Sequence, residues 1–250
     1  MTILAPVAAG VPPVGIGLYA RGRVGAPGPW QWYVGREWSF ANVDQMRADP
    51  VAATQRAIAE AIANGRSGAI LDWETDATEA QVRAVTALVV ANAARTRVGF
   101  TSYPSWRYVG LIAQLTHGLM WGSPQLYFDP ATNARGWEHW RSAFGARLIP
   151  SAKGYVVGAH TSDAMAAALR TPAGYAAYLE SVPRAGGVII WPNHPVPQYM
   201  LDAIHARWGG IATPLLVPWA ALSVLDSWPG LVLLLALALF ALYTRYRHAL

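Results

Sequence analysis

Short apolar segments alternate with amphipathic or alanine-rich segments along the first 210 residues of this chain, and few folds are compatible with that alternation. The apolar segments predict β-strands at residues 14–19, 69–73, 98–102, 125–128, 147–151 and 187–191. The segments between them predict helices at residues 50–64, 79–94, 108–116, 136–144, 172–181 and 197–208. Strands and helices in alternation form βα units, in which parallel strands are joined by helices that cover the sheet.

Two further segments, residues 30–35 and 154–160, are candidates for a seventh and an eighth strand. The total predicts an α/β fold, a complete or slightly reduced (β/α)8 barrel of the TIM type, as one domain over residues 1–210. A doubly wound open sheet is the alternative. No glycine-rich phosphate loop follows the first predicted strand, so a dinucleotide site has little support and we expect no cofactor.

Two acidic residues lie at the end of one predicted strand. Residues 68–76 read GAILDWETD, in which Asp72 and Glu74 are two positions apart. Side chains at this spacing project from the same face of a strand, while Trp73 points to the other face. In a βα barrel this end of the strand carries the active site. Crowded carboxyls in a partly dry pocket do not both ionise freely, so we expect one raised pKa and assign the retained proton to Glu74.

The alternative for these acids is structural. Asp72 and Glu74 could cap the strand or form a salt bridge, with Asp76 or Thr78 serving as the N-cap of the next helix.

Other predicted strand ends are rich in aromatic and polar side chains. Such a lining suits sugars, because their C–H faces stack on aromatic rings while their hydroxyls form hydrogen bonds. For Trp73 and Trp140 a place in the hydrophobic core is the preferred interpretation. The candidate substrate-binding residues are Tyr103, Gln125, Tyr127, Asp129 and Trp191.

Three short motifs carry a resemblance to known enzymes. LDWE, residues 71–74, resembles the D-x-E strand end of the chitinase-like glycoside hydrolases of family 18 and of the family 25 lysozymes, both of which are (β/α)8 barrels. QLYFD, residues 125–129, is similar to a later strand of the chitinases, and GGVIIWPN, residues 186–193, is similar to their final strand. The chain departs from both families, since Ala69 and Ile70 replace further chitinase acids and GLYARG, residues 17–22, lacks the lysozyme aspartate.

The resemblance implies a role for each matching residue. Glu74 corresponds to the general acid, and Asp72 to the partner that orients the N-acetyl group of the substrate, whose oxygen acts as the internal nucleophile. Tyr127 corresponds to the residue that hydrogen-bonds the acetamido group, and Trp191 to the floor under the sugar. Tyr103, Gln125 and Asp129 are then further candidates for substrate contacts.

The C-terminal region predicts a membrane anchor. Ser227 to Thr244 are eighteen residues without charge, which as a helix would rise about 27 Å, close to the thickness of a hydrocarbon core. We therefore expect a single-pass transmembrane helix with a short basic tail at residues 228–250, preceded by an apolar linker or interfacial segment at residues 211–227. A buried core helix is the alternative for the anchor.

Composition excludes several classes of site. The chain has no cysteine, and its histidines are isolated, so neither a thiolate site nor a zinc centre is expected. Its formal net charge is +5, and the arginines are scattered without a recognisable nucleic-acid module, so we expect no nucleic-acid partner.

Together these features predict a membrane-anchored glycoside hydrolase that cleaves N-acetylated glycan, most simply peptidoglycan, as a lytic enzyme of a phage, a virion membrane or a bacterial cell envelope. Its partners would be the polysaccharide, the lipid bilayer and other virion or envelope proteins. The alternative is a non-catalytic protein on the same barrel, which binds glycan or serves as a structural component of a virion or envelope.

Overall fold

Parallel β-strands form the centre of the protein. A computed structural model describes residues 9–19, 28–158, 161–192 and 195–209. The strands in this part of the chain are β1 Gly15–Tyr19, β2 Trp32–Val34, β3 Trp38–Ala41, β4 Gly68–Asp72, β5 Arg97–Ser102, β6 Met120–Pro124, β7 Ser151–Lys153 and β8 Gly187–Trp191. The helices are α1 Val43–Ala48, α2 Pro50–Ala63, α3 Glu79–Asn92, α4 Val109–Leu115, α5 Pro130–Phe144, α6 Asp163–Leu169, α7 Pro172–Glu180 and α8 Gln198–Trp208.

The strands close into a barrel. Their hydrogen-bonded order is β6-β5-β4-β3-β2-β1-β8-β7, and every pairing is parallel. Two isolated bridges, Gly122↔Leu148 and Gln125↔Ser151, then join β6 to β7. The (β/α)8 prediction is confirmed, and the open sheet is excluded because both of its edges would have to stay unpaired.

The barrel is irregular near its start. Only residues 35–37 separate β2 from β3, so no helix connects these two strands. β3 was not predicted, and the strand predicted at residues 154–160 is not a strand in the described part of that range, 154–158. Helices α1 and α6 were not predicted either, and the start of α5 was predicted six residues too late.

Local sequence signals fix several helix starts. The Asp49 carboxylate accepts a hydrogen bond from the Ala52 amide at 2.9 Å, and Pro50 occupies the first turn of α2. Thr78 caps α3 in a capping box with Gln81, which settles the choice between Asp76 and Thr78. Because Thr78 performs this task, the acids further upstream are not needed to start the helix.

The inside of the barrel is filled largely by indole rings. The inward-facing cluster consists of Trp32, Val34, Trp38, Ile70, Trp121, Ile149 and Ile189. Glycines on neighbouring strands make room for the rings: a Cβ added at Gly17 would lie 2.3 Å from the Trp32 ring, and one at Gly99 would lie 2.1 Å from the Trp121 ring. Outward-facing residues such as Trp73 pack against the helices, and Trp140 packs into the same layer from α5. Both tryptophans are fully buried, as expected.

All of the described residues fall in the first of the two units into which the chain divides, Met1–Ala212. The predicted linker at 211–227 and the predicted anchor at 228–250 lie outside the described residues. Within the four described ranges, no helix is both long enough and apolar enough to cross a bilayer.

Candidate active site

The two predicted acids lie on one side of the chain at the carboxyl end of β4. Asp72 is the last residue of β4 and is 5% exposed, whereas Glu74 is only partly buried. Trp73 between them is fully buried on the helix side, and its amide donates to the Thr101 carbonyl at 3.0 Å, which keeps the chain extended beyond β4. No arginine or lysine of the described residues forms a salt bridge with either acid. The salt-bridge alternative therefore has no support in this part of the structure.

Gln125 connects the two acids. Its side-chain nitrogen donates to Asp72 Oδ1 at 3.3 Å and to Glu74 Oε1 through a short contact. Gln125 directly follows β6, is 1% exposed, and is held by a backbone bridge to Ser151. A carboxylate oxygen only accepts, so contact with two carboxyls fixes the amide with its NH2 group toward them. Gln125, which was predicted to bind substrate, therefore forms hydrogen bonds to both acids in this structure.

Burial raises the pKa of Asp72 well above its ordinary range, and the negative charge of Glu74 and a hydrogen bond to Glu74 raise it further. The protonated form of Asp72 is therefore favoured, and in that form Asp72 can donate a hydrogen bond to Glu74. We expected the retained proton on Glu74, whereas the raised pKa belongs to Asp72, the deeper carboxyl. Since the two groups are hydrogen-bonded, that proton can pass between them.

Two tyrosines complete the polar cluster. The Tyr103 hydroxyl hydrogen-bonds Glu74, and partial burial together with the charge of Glu74 raises the pKa of Tyr103. Tyr127 is 5% exposed, and its pKa rises well above the ordinary value through burial and then through the nearby Tyr155, Asp72 and Glu74. The Tyr127 hydroxyl is buried without a hydrogen-bond partner among the described residues. A buried hydroxyl of this kind is a candidate contact for a ligand.

Trp191 lies at the same end of the barrel as the acids, as the last residue of β8. Its ring centroid is 4.2 Å from that of Tyr19, with planes inclined by 30°, and 5.7 Å from that of Phe40. Its indole N–H is buried and has no partner among the described residues. Because β8 and β4 are four strands apart in a ring of eight, Trp191 lies across the barrel mouth from Asp72.

Asp129 has a different position from the other predicted residues. It is the N-cap of α5, where Oδ1 accepts from the amides of Ala131 and Thr132, both at 3.0 Å, and Oδ2 accepts from the Thr132 hydroxyl at 2.7 Å. These hydrogen bonds lower the pKa of Asp129. The structure therefore gives Asp129 a helix-capping role on the exposed rim and shows no contact between it and the acids.

Lys153, the last residue of β7, and Tyr155, which follows that strand, were not among the predicted catalytic or substrate-binding residues. Burial and then the negative charge of Glu74 raise the pKa of Tyr155 to about 12, so Tyr155 interacts electrostatically with this acid. Lys153, which is fully buried, lies with its ammonium 5.0 Å from the centroid of the Tyr155 ring and contacts the Thr161 hydroxyl; burial lowers its pKa to about 8. The alternation of Ser151, Lys153 and Tyr155 on one face of an extended chain is the signal that identifies them.

The described residues contain no group of three or more histidine, aspartate or glutamate side chains placed to hold a metal ion. The two acids instead face the amide hydrogens of Gln125 and the hydroxyl of Tyr103. This arrangement favours proton transfer as the chemistry of the site.

Comparison with known protein families and with curated proteins gives no match to this sequence. Among solved structures, a fungal endo-β-N-acetylglucosaminidase of glycosyl hydrolase family 18 is 15% identical over 62% of this chain and 62% of its own, with a TM-score of 0.42. A family 18 chitinase of Flavobacterium johnsoniae is 14% identical over 66% of this chain and 67% of its own, with a TM-score of 0.41. The chain thus spans less than two thirds of the fungal enzyme.

Proposed function

We propose that the protein is a glycoside hydrolase that cleaves an N-acetylated glycan at the carboxyl end of the barrel. The observation that carries this proposal is the bonded set of Asp72, Glu74 and Gln125, in which burial and the neighbouring Glu74 raise the pKa of Asp72. General acid catalysis needs a protonated group within reach of the leaving oxygen. Glu74 is the more exposed acid of the pair, so it is the one that can reach a bound substrate.

The spacing of the acids bears on the mechanism. Both contact the same nitrogen of Gln125, so they are too close to admit the water of an inverting enzyme, whose carboxyls stand about 6.5–9.5 Å apart. Asp72, at 5% exposure, is too deep to attack a sugar carbon itself. With an inverting water and a carboxylate nucleophile both disfavoured, the remaining mechanism is substrate-assisted hydrolysis, in which the acetamido oxygen of the substrate is the nucleophile.

The reaction then has two steps. The proton of Asp72 passes to Glu74, and Glu74 gives it to the glycosidic oxygen while the acetamido oxygen attacks the anomeric carbon and the glycosidic bond breaks. The ionised Asp72 accepts a hydrogen bond from the acetamido N–H, and Tyr127 donates one to the acetamido oxygen. In the second step Glu74 removes a proton from water, which attacks the same carbon and opens the cyclic intermediate.

Trp191 supports the sugar during both steps. Its ring is held by Tyr19 and Phe40, so the face on which a sugar would stack is already ordered before binding. A rigid aromatic floor costs little conformational entropy when a ligand binds.

The apolar sequence of residues 228–250 bears on where the protein acts in the cell. A single-pass anchor there would hold the barrel at a membrane, either of a virion or of a bacterial envelope, and so raise its effective concentration at adjacent peptidoglycan. Peptidoglycan is the N-acetylated polymer expected in that place.

The proposal is tested by comparing Glu74→Gln with Asp76→Asn. Asp76 is an exposed acid two positions further on, so its variant controls for the loss of one carboxylate. We expect Glu74→Gln to lower kcat on peptidoglycan or N-acetylglucosamine oligomers by about 10²–10⁴-fold, because the general acid is lost. Clearing of peptidoglycan gels and release of reducing ends measure the activity.

Undiminished activity of Glu74→Gln contradicts the proposal. If the wild-type protein binds saccharide at Trp191 but releases no reducing ends at any pH, the non-catalytic alternative is correct and the barrel is a glycan-binding or structural envelope protein.

A further inference from the structure

A groove of about 610 Å³ opens beside the acids, between the loop after β5 and helix α5. Its lining includes Tyr103, Pro104, Phe128, Arg135 and His139. Tyr103 belongs to both sites, since its side chain lines the groove while its hydroxyl hydrogen-bonds Glu74. The groove therefore adjoins the candidate active site at Tyr103.

The walls of the groove are fixed to each other. A Cβ added at Gly136 in α5 would lie 2.2 Å from the Cβ of Pro104, so helix and loop are in close contact. The buried indole N–H of Trp140, also in α5, donates to the carbonyls of Tyr103 and Pro104 at 3.3 and 3.2 Å. The loop is thus held by the helix, and the groove exists before a ligand arrives.

The strand order places the groove relative to the two parts of the candidate site. Trp191 on β8 lies four strands from β4, whereas the groove lies beside β5, the strand next to β4. A glycan with a linkage bound at Glu74 can reach the groove past Tyr103, which contacts Glu74 and also lines the groove.

The charge of the groove indicates which sugar fits. None of the residues that line it is acidic. Arg135 donates to the Thr132 hydroxyl at 3.1 Å and, among the described residues, has no carboxylate within salt-bridge distance. The nearest helix-cap acid, Asp129, is already occupied by α5. An arginine fork in the same groove as the apolar side chains of Pro104 and Phe128 is suited to a carboxylate attached to a sugar ring.

Building on the proposed function, we infer that this groove binds a neighbouring sugar of the N-acetylated glycan through a carboxylate on that sugar. The sugar ring would lie on Pro104 and Phe128, and the carboxylate would accept hydrogen bonds from Arg135. The substrate class is then an acidic N-acetylated glycan, such as one whose lactyl ethers have free carboxylates and no attached peptide, in preference to a neutral polymer.

The test uses one oligosaccharide in two forms, with its lactyl carboxylates free or converted to methyl amides. These ligands have nearly the same shape and differ in charge. Binding by calorimetry and kcat/KM are measured for the full 250-residue chain in non-ionic detergent. The variants are Arg135→Gln, Arg135→Glu and the control Arg141→Gln, which removes an exposed arginine that is in the same helix but is paired with Glu138 outside the groove.

We expect the wild-type protein to prefer the free acid by about 1.5- to fivefold, the range for an exposed charge pair. Arg135→Gln should abolish this preference, Arg135→Glu should reverse it, and Arg141→Gln should retain it. High salt should weaken the preference, because the arginine is exposed.

The outcomes separate this inference from the proposed function. Equal cleavage of acid and amide overturns the inference and leaves the hydrolase proposal standing. An Arg135-dependent preference in binding without cleavage supports the groove and overturns catalysis. Binding of neither form overturns both.

Discussion

Asp72 shows how a single side chain can be favourable for chemistry and unfavourable for folding. Its carboxyl is buried beside Glu74, so ionisation of Asp72 is disfavoured in the folded protein. A raised pKa means that the folded state holds this proton more tightly than the unfolded chain does. Stability therefore falls as pH rises from the ordinary aspartate pKa of about 3.9 toward the raised value, and no such loss is present at lower pH.

Asp72→Asn should consequently stabilise the protein while it lowers activity. The amide keeps an acceptor for Gln125 and removes the buried ionisable group, so we expect the melting temperature to rise by about 2–4 °C at pH 8 for a gain of about 1 kcal/mol, and to change little at pH 4. Thermal unfolding at the two pH values measures this. Asp76→Asn is the matched control, and an equal shift in both variants would contradict the explanation.

The sequence predicted the acids but not the contacts between them and the rest of the site. Asp72 and Glu74 share a face because of the two-residue period of extended chain, which is a local property. The bond from Gln125 to Asp72 spans 53 positions and depends on the register of β4, β5 and β6, which no local pattern specifies. The capping role of Asp129 could have been predicted, since an aspartate directly before Pro130 is a common helix start.

Among the strands, pairs of glycine and tryptophan determine how the barrel is filled. Trp121 on β6 lies against Gly99 on β5, and Trp32 on β2 lies against Gly17 on β1. A tryptophan ring on one strand thus requires a glycine at the paired position of the neighbouring strand, because any side chain there would overlap the ring. This layer of rings lies below the acids and forms the base of the site.

Gly99→Ala should destabilise the protein by about 1–3 kcal/mol, because the new methyl group would overlap the buried Trp121 ring. Gly110→Ala is the control: Gly110 lies in α4, is exposed, and would have no atom within 4 Å of the added Cβ. We expect that variant to gain about 0.5–1 kcal/mol from helix propensity. Urea unfolding midpoints measure both, and equal effects would contradict the packing argument.

Strand prediction was least accurate where glycine and proline interrupt the pattern. β6 was expected at residues 125–128 and lies at Met120–Pro124, because MWGSP does not look like a strand by composition. It is a strand because its residues are buried on both sides, between the barrel interior and α5. β3 was missed because it follows β2 after three residues, where a helical connection was expected.

The full chain combines a barrel with an apolar C-terminal sequence whose role stays a prediction. We expect the full chain to bind lipid vesicles and Leu235→Arg to bind them less, because an arginine at the centre of the predicted span disfavours insertion by about 2.5–3.5 kcal/mol. Leu235→Phe, which stays apolar, should behave as wild type. Vesicle flotation measures the bound fraction, and failure of the wild-type chain to float would contradict the predicted anchor.

The junction of β6 and β7 consists of two isolated bridges, with backbone hydrogen bonds such as Ile149 to Gly122 at 3.1 Å and Leu126 to Ser151 at 2.9 Å. Gln125 is itself part of this junction through its bridge to Ser151, and Lys153 and Tyr155 follow on the β7 side. The same residue donates to Asp72 and Glu74, so the contact that closes the barrel and the contact that connects the two acids depend on one position. A change in the spacing of β6 and β7 would therefore also move the amide between the two carboxyls.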